Sequence, residues 1–351
     1  MESQNLDTNL YSRQIGVYGI ETMKEIIKLN IFIYGMRGLG IEIAKNIILA
    51  GPKKVTIYDS NICKISDLTS NFYITKNDVE NNTRRDDASI KKLSLLNPFV
   101  EIEIMKDDNL NTHLEKNIQV KEIKYDVVII SEFYPEEEIK KINTLCRKNN
   151  IGFIYTVELG KFGFCFVDFG DNFIVKDENG KDPLSYCIKS ISKEKKGIVT
   201  IDTTAGKLKL GNKDKVIFKE IEGMTELNNK EPKNIKVLTN NSFEIDDTSN
   251  FSEYISGGIV EEIKIPKIYN FKSLEERLEI PYTEDNLPNP IDFSKESTNE
   301  IIHIGILALN KFYKENNSLP KLNDEKQANE LLEISKIIYE TKCKENELWL
   351  V

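Results

Sequence analysis

The chain has few of the residues from which metal centres and nucleophilic triads are built. Among 351 residues there are only two histidines, His113 and His303, and no Cys-x-x-Cys pair. Neither histidine stands beside a candidate nucleophile in the sequence, so we expect both to be structural. A zinc site and a Ser-His-Asp triad are therefore disfavoured, and we predict that this chain holds no metal.

The five cysteines are widely separated and odd in number, which is typical of reduced thiols in an intracellular protein. None has a neighbouring histidine or basic cluster that would activate it, so we predict no thioester nucleophile among Cys63, Cys146, Cys165, Cys187 and Cys343. Cys146 lies in an apolar helical pattern, and Cys165 alternates with two phenylalanines on a predicted strand. We expect both of these side chains to be buried.

Long apolar runs and an excess of positive charge are also missing. No segment approaches the roughly 18 apolar residues of a membrane helix, and the N-terminal stretch MESQNLDTNLYSRQ lacks the basic and apolar regions of a signal peptide. The formal net charge of −9 argues against nucleic acid as the main partner. We therefore expect neither a membrane nor a nucleic-acid partner for a chain long enough to form two or three domains.

The first part of the chain predicts a Rossmann-like architecture. The apolar run 31–34 is a strand, 41–49 has helical spacing and 55–59 is a second strand, so together they form one βαβ unit. Further elements follow the same alternation: helix 20–29 before the unit, then strand 126–130, helix 135–149 and strands 151–155 and 163–170. This alternation predicts an α/β fold with a mostly parallel sheet covered by helices.

The pattern changes twice along the rest of the chain. After residue 170, short β-rich runs alternate with turns and helical periodicity is nearly absent, which predicts a small inserted β domain. After residue 267 the sequence predicts three amphipathic helices. We therefore divide the chain into a Rossmann-like domain at 1–170, a β domain at 171–267 and a helical bundle segment at 268–351.

The sequence GMRGLG connects the first strand of the βαβ unit to its helix. Gly35, Gly38 and Gly40 suit a tight turn and close packing of the helix, but Arg37 stands where the dinucleotide pattern needs a glycine so that phosphate can reach the backbone. We expect the turn to keep its architecture and to bind no nucleotide; alternatively, Arg37 attracts an anion at the helix N-terminus. Asp59, 24 residues after Gly35, lies near the ribose-binding position of the pattern, or is a surface cap.

Four stretches, 11–24 with YSRQ, 35–51, 58–74 and 247–267 with DTSNFSEYISGGIV, resemble the N-terminal half of eukaryotic ubiquitin-activating enzymes. The resemblance runs from about Leu10 to Lys342. It implies an inactive adenylation domain of the ThiF/MoeB-like fold, then a first catalytic-cysteine half-domain that does not hold the nucleophile, then a four-helix bundle. On this resemblance the chain is a fragment, and the active half of the enzyme would follow Val351.

The resemblance also implies which elements of a nucleotide site are missing. The family's active adenylation domain binds ATP through a glycine-rich turn, an aspartate after the second strand and an Asn-Arg-Gln run. Here Asp59 is kept, Arg37 interrupts the turn, and the run reads Ser70-Asn71-Phe72. The resemblance thus implies no cofactor in this chain, with ATP and Mg²⁺ bound by the active half.

Two further sites come from the resemblance. In the family, the arginine of YSRQ reaches across a pseudo-dimer interface to the ATP of the active half, which implies a trans-acting role for Arg13, with Gln14 ordering the same arm; the alternative is an interface or solvated arginine. The half-domain of the family touches ubiquitin, and the DTSNFSEYISGG segment presents Phe251 and Tyr254 as candidates for that contact. An aromatic pair of this kind is otherwise part of a core.

The leading hypothesis is a non-catalytic part of an ATP-dependent ubiquitin-activating enzyme, expected in the cytoplasm and nucleus. Its partners would be the active half, ubiquitin and, indirectly, the conjugating enzyme. The alternative is a regulatory subunit of a heterodimeric activating enzyme for a modifier such as SUMO or NEDD8. A nicotinamide-dependent oxidoreductase is disfavoured because Arg37 blocks the pyrophosphate position.

Overall fold

The computed structural model describes residues 6–106, 110, 112–114, 125–160, 162–178, 180–204, 206–212, 214–229, 231–279 and 298–345. The chain divides into two compact units. Unit 1 comprises Met1–Asp171 and Asn270–Val351, and unit 2 comprises Asn172–Tyr269. The predicted β domain at 171–267 nearly coincides with unit 2, whereas the predicted helical segment falls within unit 1.

A six-stranded sheet forms the centre of unit 1. Its strands are β1 Asn30–Tyr34, β2 Lys54–Tyr58, β3 Glu101–Ile104, β4 Val127–Ile130, β5 Gly152–Leu159 and β6 Phe162–Asp168. They are arranged in the order β3-β2-β1-β4-β5-β6, and only β6 runs antiparallel to its neighbour in this described sheet. The predicted α/β class with a mostly parallel sheet is therefore confirmed.

Unit 1 contains nine α-helices whose two ends lie within the described residues. They are α1 Ser12–Tyr18, α2 Ile20–Ile26, α3 Gly38–Ala50, α4 Lys76–Glu80, α5 Arg85–Leu93, α6 Glu136–Lys148, α7 Leu274–Glu279, α8 Thr298–Asn316 and α9 Glu325–Glu345. Apolar residues of α3 and α5 pack on one face of the sheet, and those of α6 and α7 pack on the other. Burial on both faces explains why β1 and β4 consist of continuous apolar runs.

Helix α7 is attached to the sheet by polar as well as apolar contacts. Asn143 of α6 accepts from the Leu274 backbone N–H at 2.9 Å and donates to Asp168 at 2.7 Å. At the same place in unit 1, the Phe271 N–H donates to the carbonyl of Gly170 at 3.0 Å. The two points where unit 1 is interrupted by unit 2 are therefore joined directly to each other.

Unit 2 is antiparallel β-structure, as its sequence predicts. Its strands are β7 Phe173–Val175, β8 Ser185–Ile191, β9 Ile198–Ile201, β10 Lys215–Glu222, β11 Lys233–Asn234, β12 Lys236–Thr239, β13 Ser242–Glu244, β14 Ser256–Ile263 and β15 Lys267–Tyr269. Seven of them form one sheet in the order β11-β10-β14-β8-β9-β13-β12, and β7 pairs with β15. Phe218, Phe243 and Val260, all with no exposed surface, lie in the core of this unit.

Helices α8 and α9 pack against each other through Ala308, Phe312 and Ile334. They correspond to two of the three amphipathic helices predicted from the sequence, and the third is α7. Within the described residues, no helix combines the length and the apolar character needed to cross a membrane.

The two cysteines that were predicted to be buried differ in their exposure to solvent. Cys146 is fully buried in α6, as predicted, whereas the prediction for Cys165 is wrong because its side chain is exposed. Cys165 lies on β6, the outermost strand of the sheet, on the side opposite to the buried ring of Phe166. Cys187 is exposed as well, and burial raises the pKa of the buried Cys63 thiol to about 11.

The turn between β1 and α3 is closed by direct backbone contact. Gly35 has a φ of +94°, which favours glycine, and a Cβ added at Gly40 would overlap the carbonyl oxygen of Gly35. A Cβ added at Gly38 would lie 2.8 Å from the Cβ of Ser70. Glycine is therefore required at these positions by the packing of α3 on the sheet, whether or not the turn binds a ligand.

We expect Gly40→Ala to lower the free energy of unfolding by about 2–3 kcal/mol, because the added methyl meets rigid backbone. Gly305→Ala in α8 is the matched control, since no described atom lies within 4 Å of its added Cβ. That variant should be neutral or more stable by up to about 1 kcal/mol. Urea unfolding of the two variants measures both effects, and equal stabilities would contradict the close approach at Gly40.

Candidate functional site

The candidate site lies where β1, β2 and β4 end, beside the glycine-rich turn. Arg37 precedes α3 in an extended conformation, with φ −78° and ψ −169°, and its side chain is exposed. Among the described residues it has no hydrogen-bond or ion-pair partner. A charged side chain therefore stands at the position where the nucleotide-binding pattern needs a bare backbone.

Asp59 is part of the interior, so the alternative of a surface cap is wrong. It is 2% exposed, and its carboxylate accepts from the backbone N–H of Met36 at 2.9 Å. It also accepts from the backbone and side-chain amides of Asn61 at 3.0 and 2.9 Å. The carboxylate that would bind a ribose in the general pattern is thus used to hold the glycine-rich turn and the following loop.

Arg85, the first residue of α5, places a positive charge inside the site. It is 4% exposed. Its Nε donates to Asp67 Oδ2 at 2.9 Å, and its Nη1 donates to Asp59 Oδ2 at 3.3 Å and lies 3.8 Å from Glu132 Oε1. A buried guanidinium therefore bridges three carboxylates that come from separate parts of the chain.

The adjacent Arg84 neutralises a fourth buried carboxylate. It makes a two-pronged contact with Asp86 at 3.0 and 2.7 Å and lies over the ring of Tyr58, 5.6 Å from its centroid. Asp86, with no exposed surface, also accepts from the backbone N–H of Asp59 at 3.0 Å. Arg84 and Arg85, at the start of α5, thus supply both guanidinium groups of one ion network. Its carboxylates are those of Asp59, Asp67, Asp86 and Glu132.

Asn71 occupies the place where the resemblance implies an Asn-Arg-Gln run. Its side chain is 1% exposed and donates to the Met36 carbonyl at 2.9 Å and to Ser89 at 3.3 Å. The next residue, Phe72, is 80% exposed and brings no charge to the site. Asn71 therefore holds the turn in place, and the run brings no positively charged side chain to the site.

Glu132, two residues beyond β4, has the weakest ion pair of the four carboxylates, with 3.8 Å between its Oε1 and Arg85 Nη1. Its Oε1 is buried and has no hydrogen bond to any described residue. Burial raises the pKa of Glu132 to about 7; the nearby carboxylate of Asp59 adds to this rise, and the charges of Arg85 and Arg37 oppose it. Glu132 is therefore expected to titrate close to neutral pH.

These residues do not fit a nucleotide. Four carboxylates, Asp59, Asp67, Asp86 and Glu132, surround two buried or half-buried arginines that are already paired with them. A triphosphate would add negative charge where Glu132 already lacks a full partner. Sequence reasoning missed Arg84, Arg85 and Glu132, although Glu132 follows a parallel strand at the same edge of the sheet as Asp59.

The N-terminal arm, which consists of Tyr11 and α1, carries Arg13. It is attached at the C-terminal end of α3, whereas the glycine-rich turn lies at the N-terminal end. Arg13 lies on α1 and is exposed, with no polar partner among the described residues. Gln14 donates to the carbonyl of Leu49 at 3.0 Å, and Tyr11 is 5% exposed. The residues on either side of Arg13 are thus anchored while its guanidinium is free.

Phe251 and Tyr254, in unit 2, are both half-buried against the core of that unit. The Tyr254 hydroxyl donates to the carbonyl of Gly257 at 3.0 Å. The neighbouring Thr248 is 1% exposed and donates to the Ser192 carbonyl at 2.8 Å. The DTSNFSEYISGG segment therefore has a packing role, whatever its outer surface binds.

The two histidines lie in buried structural positions. His113 Nε2 is 3.0 Å from the hydroxyl of Tyr125, and His303 Nε2 is 3.1 Å from the carbonyl of Leu278. In the part of the chain that the structure describes, no group of three or more His, Cys, Asp or Glu residues is placed to hold a metal ion.

Two family models match the second half of the chain. Residues 194–264 match the one described as the ubiquitin-activating enzyme E1 FCCH domain. Residues 265–339 match the one described as the ubiquitin-activating enzyme E1 four-helix bundle. These matches confirm the resemblance that the sequence motifs indicate.

Over 95% of its length the chain is similar to curated ubiquitin-activating and ubiquitin-like modifier-activating enzymes. It is 40% identical over 337 residues to ubiquitin-activating enzyme E1 2 of Arabidopsis thaliana, which covers 95% of this chain and 30% of that protein. It is 37% identical over 335 residues to ubiquitin-like modifier-activating enzyme 1 of Dictyostelium discoideum, with 95% and 32% covered, and 36% identical to its human counterpart, with 95% and 30% covered. The chain thus spans about a third of the length of these relatives.

The position of Glu132 predicts how stability depends on pH. Its pKa lies near 7 in the folded protein and near 4.5 in the unfolded chain, so the folded state binds more protons in this window and stability falls as the pH rises through it. Glu132→Gln removes the buried charge. We expect this variant to be more stable than the parent by about 1–3 kcal/mol at pH 8 and about equal to it near pH 4.

Urea unfolding at the two pH values measures this difference. Glu80→Gln, at the exposed end of α4, is the matched control and should leave the pH dependence of stability unchanged. An effect of Glu132→Gln that is the same at both pH values would show that Glu132 does not titrate between them.

Proposed function

We propose that this chain, which carries the FCCH and four-helix-bundle domains of a ubiquitin-activating enzyme E1, is the non-catalytic N-terminal part of such an enzyme. The observation that carries the proposal is the internal ion network at the glycine-rich turn. Inside the site, the guanidinium of Arg85 is paired with three carboxylates of the same chain. The similarity to these enzymes extends over 95% of the length of the chain. A Rossmann-like unit in this state can support a partner, but its buried guanidinium, Arg85, is already paired with carboxylates and is not available to ATP.

The catalytic groups would then come from the active half of the enzyme. We infer that ATP and Mg²⁺ are bound there, that ubiquitin is the protein activated, and that the conjugating enzyme is an indirect partner. Unit 2 would contribute to the contact with ubiquitin, with the exposed edges of Phe251 and Tyr254 as candidate residues. The assembled enzyme would act in the cytoplasm and nucleus.

Arg13 is the residue through which this chain would take part in the chemistry. Its guanidinium is always charged, and among the described residues it has no hydrogen bond or ion pair that would have to be broken before it reaches another site. When a ubiquitin carboxylate attacks the α-phosphate of ATP, negative charge increases on the phosphate oxygens, and a fixed guanidinium stabilises that charge. Arg13 would supply this group in trans across the interface between the two adenylation domains, while Gln14 holds the arm that carries it.

A regulatory subunit for another modifier is the second candidate. It accounts for the degenerate nucleotide site equally well. The match of residues 194–264 to the E1 FCCH domain favours the ubiquitin enzyme. The mass of the polypeptide that contains this sequence in its source cells, measured after denaturation, distinguishes the two. The ubiquitin enzyme would keep both halves in one polypeptide, whereas a regulatory subunit would separate from its catalytic partner.

We expect the chain by itself to show no ubiquitin-dependent exchange between ATP and pyrophosphate and no measurable binding of ATP. The physical reason is that Asp59 and Arg85 are already paired and Arg37 blocks the turn. The exchange assay and filter binding with labelled ATP test this, with a complete ubiquitin-activating enzyme as the positive control. Exchange above background by the isolated chain would overturn the non-catalytic role.

In the complete enzyme that contains this chain, Arg13→Ala should slow ubiquitin adenylation by about 100-fold. Transfer of ubiquitin from an already formed thioester should change by less than about twofold, since ATP takes no part in that step. Arg37→Ala is the matched control, because Arg37 is also an exposed arginine and is not assigned to the active site of the other half. Adenylation by Arg13→Ala at the rate of the parent enzyme would contradict the trans role.

A further inference from the structure

The C-terminal end of α3 is the place where the N-terminal arm is attached to unit 1. The last carbonyls of a helix have no partner within the helix. Here the Ile48 carbonyl accepts from the side chain of Asn97 at 3.1 Å, and the Leu49 carbonyl accepts from the side chain of Gln14 at 3.0 Å. The end of α3 is therefore completed by side chains from two distant segments.

Asn97 connects these segments to each other. It is 5% exposed, and besides the Ile48 carbonyl its amide donates to the hydroxyl of Tyr11 at 3.0 Å, across 86 residues of sequence. Its side-chain oxygen accepts from the backbone N–H of Phe99 at 3.1 Å. Both amide hydrogens and the oxygen are thus used, which fixes the orientation of the side chain.

The ring of Tyr11 also packs against Gly51, the residue that follows the last turn of α3. Gly51 has a φ of +85°, and a Cβ added there would lie 2.7 Å from the Tyr11 ring and overlap its hydroxyl. The ring therefore lies directly on the glycine backbone. We call Tyr11, Gly51 and Asn97 the arm clasp.

Helix α1 needs such an attachment because its own packing is weak. It has seven residues, no buried side chain and no side-chain cap. Arg13 lies on this helix, two residues after Tyr11 and one before Gln14. The position of its guanidinium is therefore set by the contacts of Tyr11, just before the helix, and of Gln14 within it, since no side chain of α1 is fully buried.

We propose that Asn97 is a positioning residue for Arg13, acting through the hydroxyl of Tyr11. The clasp fixes the start of α1 on the end of α3 and limits where Arg13 can reach. This inference rests on the proposed trans role of Arg13. It adds that adenylation depends on a buried asparagine that touches neither ATP nor ubiquitin in this chain.

The test is a double-mutant cycle in the complete enzyme. Tyr11→Phe keeps the ring on Gly51 and removes only the hydroxyl, and Asn97→Ala removes the amide. Each should lower kcat for adenylation about tenfold, because small misplacement of a catalytic group is costly, with KM for ubiquitin unchanged. In an Arg13→Ala background, neither change should lower kcat further.

Asn143→Ala is the control for general destabilisation. Asn143 is a buried asparagine of the same unit that also joins two elements, through Asp168 and the Leu274 N–H. We expect it to lower the unfolding midpoint to a similar extent and to leave kcat unchanged in the parent background. In the chain itself, hydrogen exchange of the amides of α1 should become about tenfold faster with Asn97→Ala and stay unchanged with Asn143→Ala.

The outcomes separate the two proposals. If Arg13→Ala has no effect on adenylation, the trans role fails, and the clasp loses its function with it. If Arg13→Ala slows adenylation but Tyr11→Phe and Asn97→Ala do not, the trans role stands and the positioning role of Asn97 is wrong. If the clasp variants slow adenylation equally with and without Arg13, they act by another route and the inference is also overturned.

Discussion

The attachment of helix α3 at both of its ends is the constraint on which the rest of unit 1 depends. At its N-terminus the backbone of Gly40 lies so close to the carbonyl of Gly35 that no side chain fits between them. At its C-terminus, Gly51 and the side chains of Gln14 and Asn97 complete the helix. The first contact places the glycine-rich turn beside the ion network, and the second carries the N-terminal arm.

The balance of charge in the network shows how the glycine-rich turn is held by contacts within the chain. In a phosphate-binding site, positively charged groups and backbone N–H groups have no partner within the protein and are available to bind phosphate. Here the Met36 N–H is taken by Asp59, and the guanidinium of Arg85 is taken by the carboxylates around it. Breaking buried pairs of this kind is costly, because it leaves charges without partners in a medium of low polarity. The network therefore stabilises the turn by satisfying these groups internally.

The sequence predicts those parts of the fold whose pattern is local. The βαβ unit is visible because the strand 31–34, the helix after it and the strand 55–59 each have their own periodicity. The edge strand β3, EIEI, was not predicted because it has only four residues, although its isoleucines alternate with the glutamates that pair with Lys54. The burial of Cys165 was wrongly predicted because the pattern of a strand does not reveal that it lies at the edge of a sheet. Arg85 and Asn97 could not be found in this way, since Asp67 lies 18 residues from Arg85 and Tyr11 lies 86 residues from Asn97 along the chain.

The hydrogen bond between the Phe271 N–H and the Gly170 carbonyl has a consequence for the history of the chain. Unit 1 is continuous at this point in space although it is interrupted in sequence by the residues of unit 2. A segment inserted where the chain leaves and re-enters a domain at neighbouring backbone positions is well tolerated, because the strands of that domain need not move. An ancestral Rossmann-like domain could therefore acquire the β domain in one genetic event, and exchange it for another, without any change to the strands that surround the ion network.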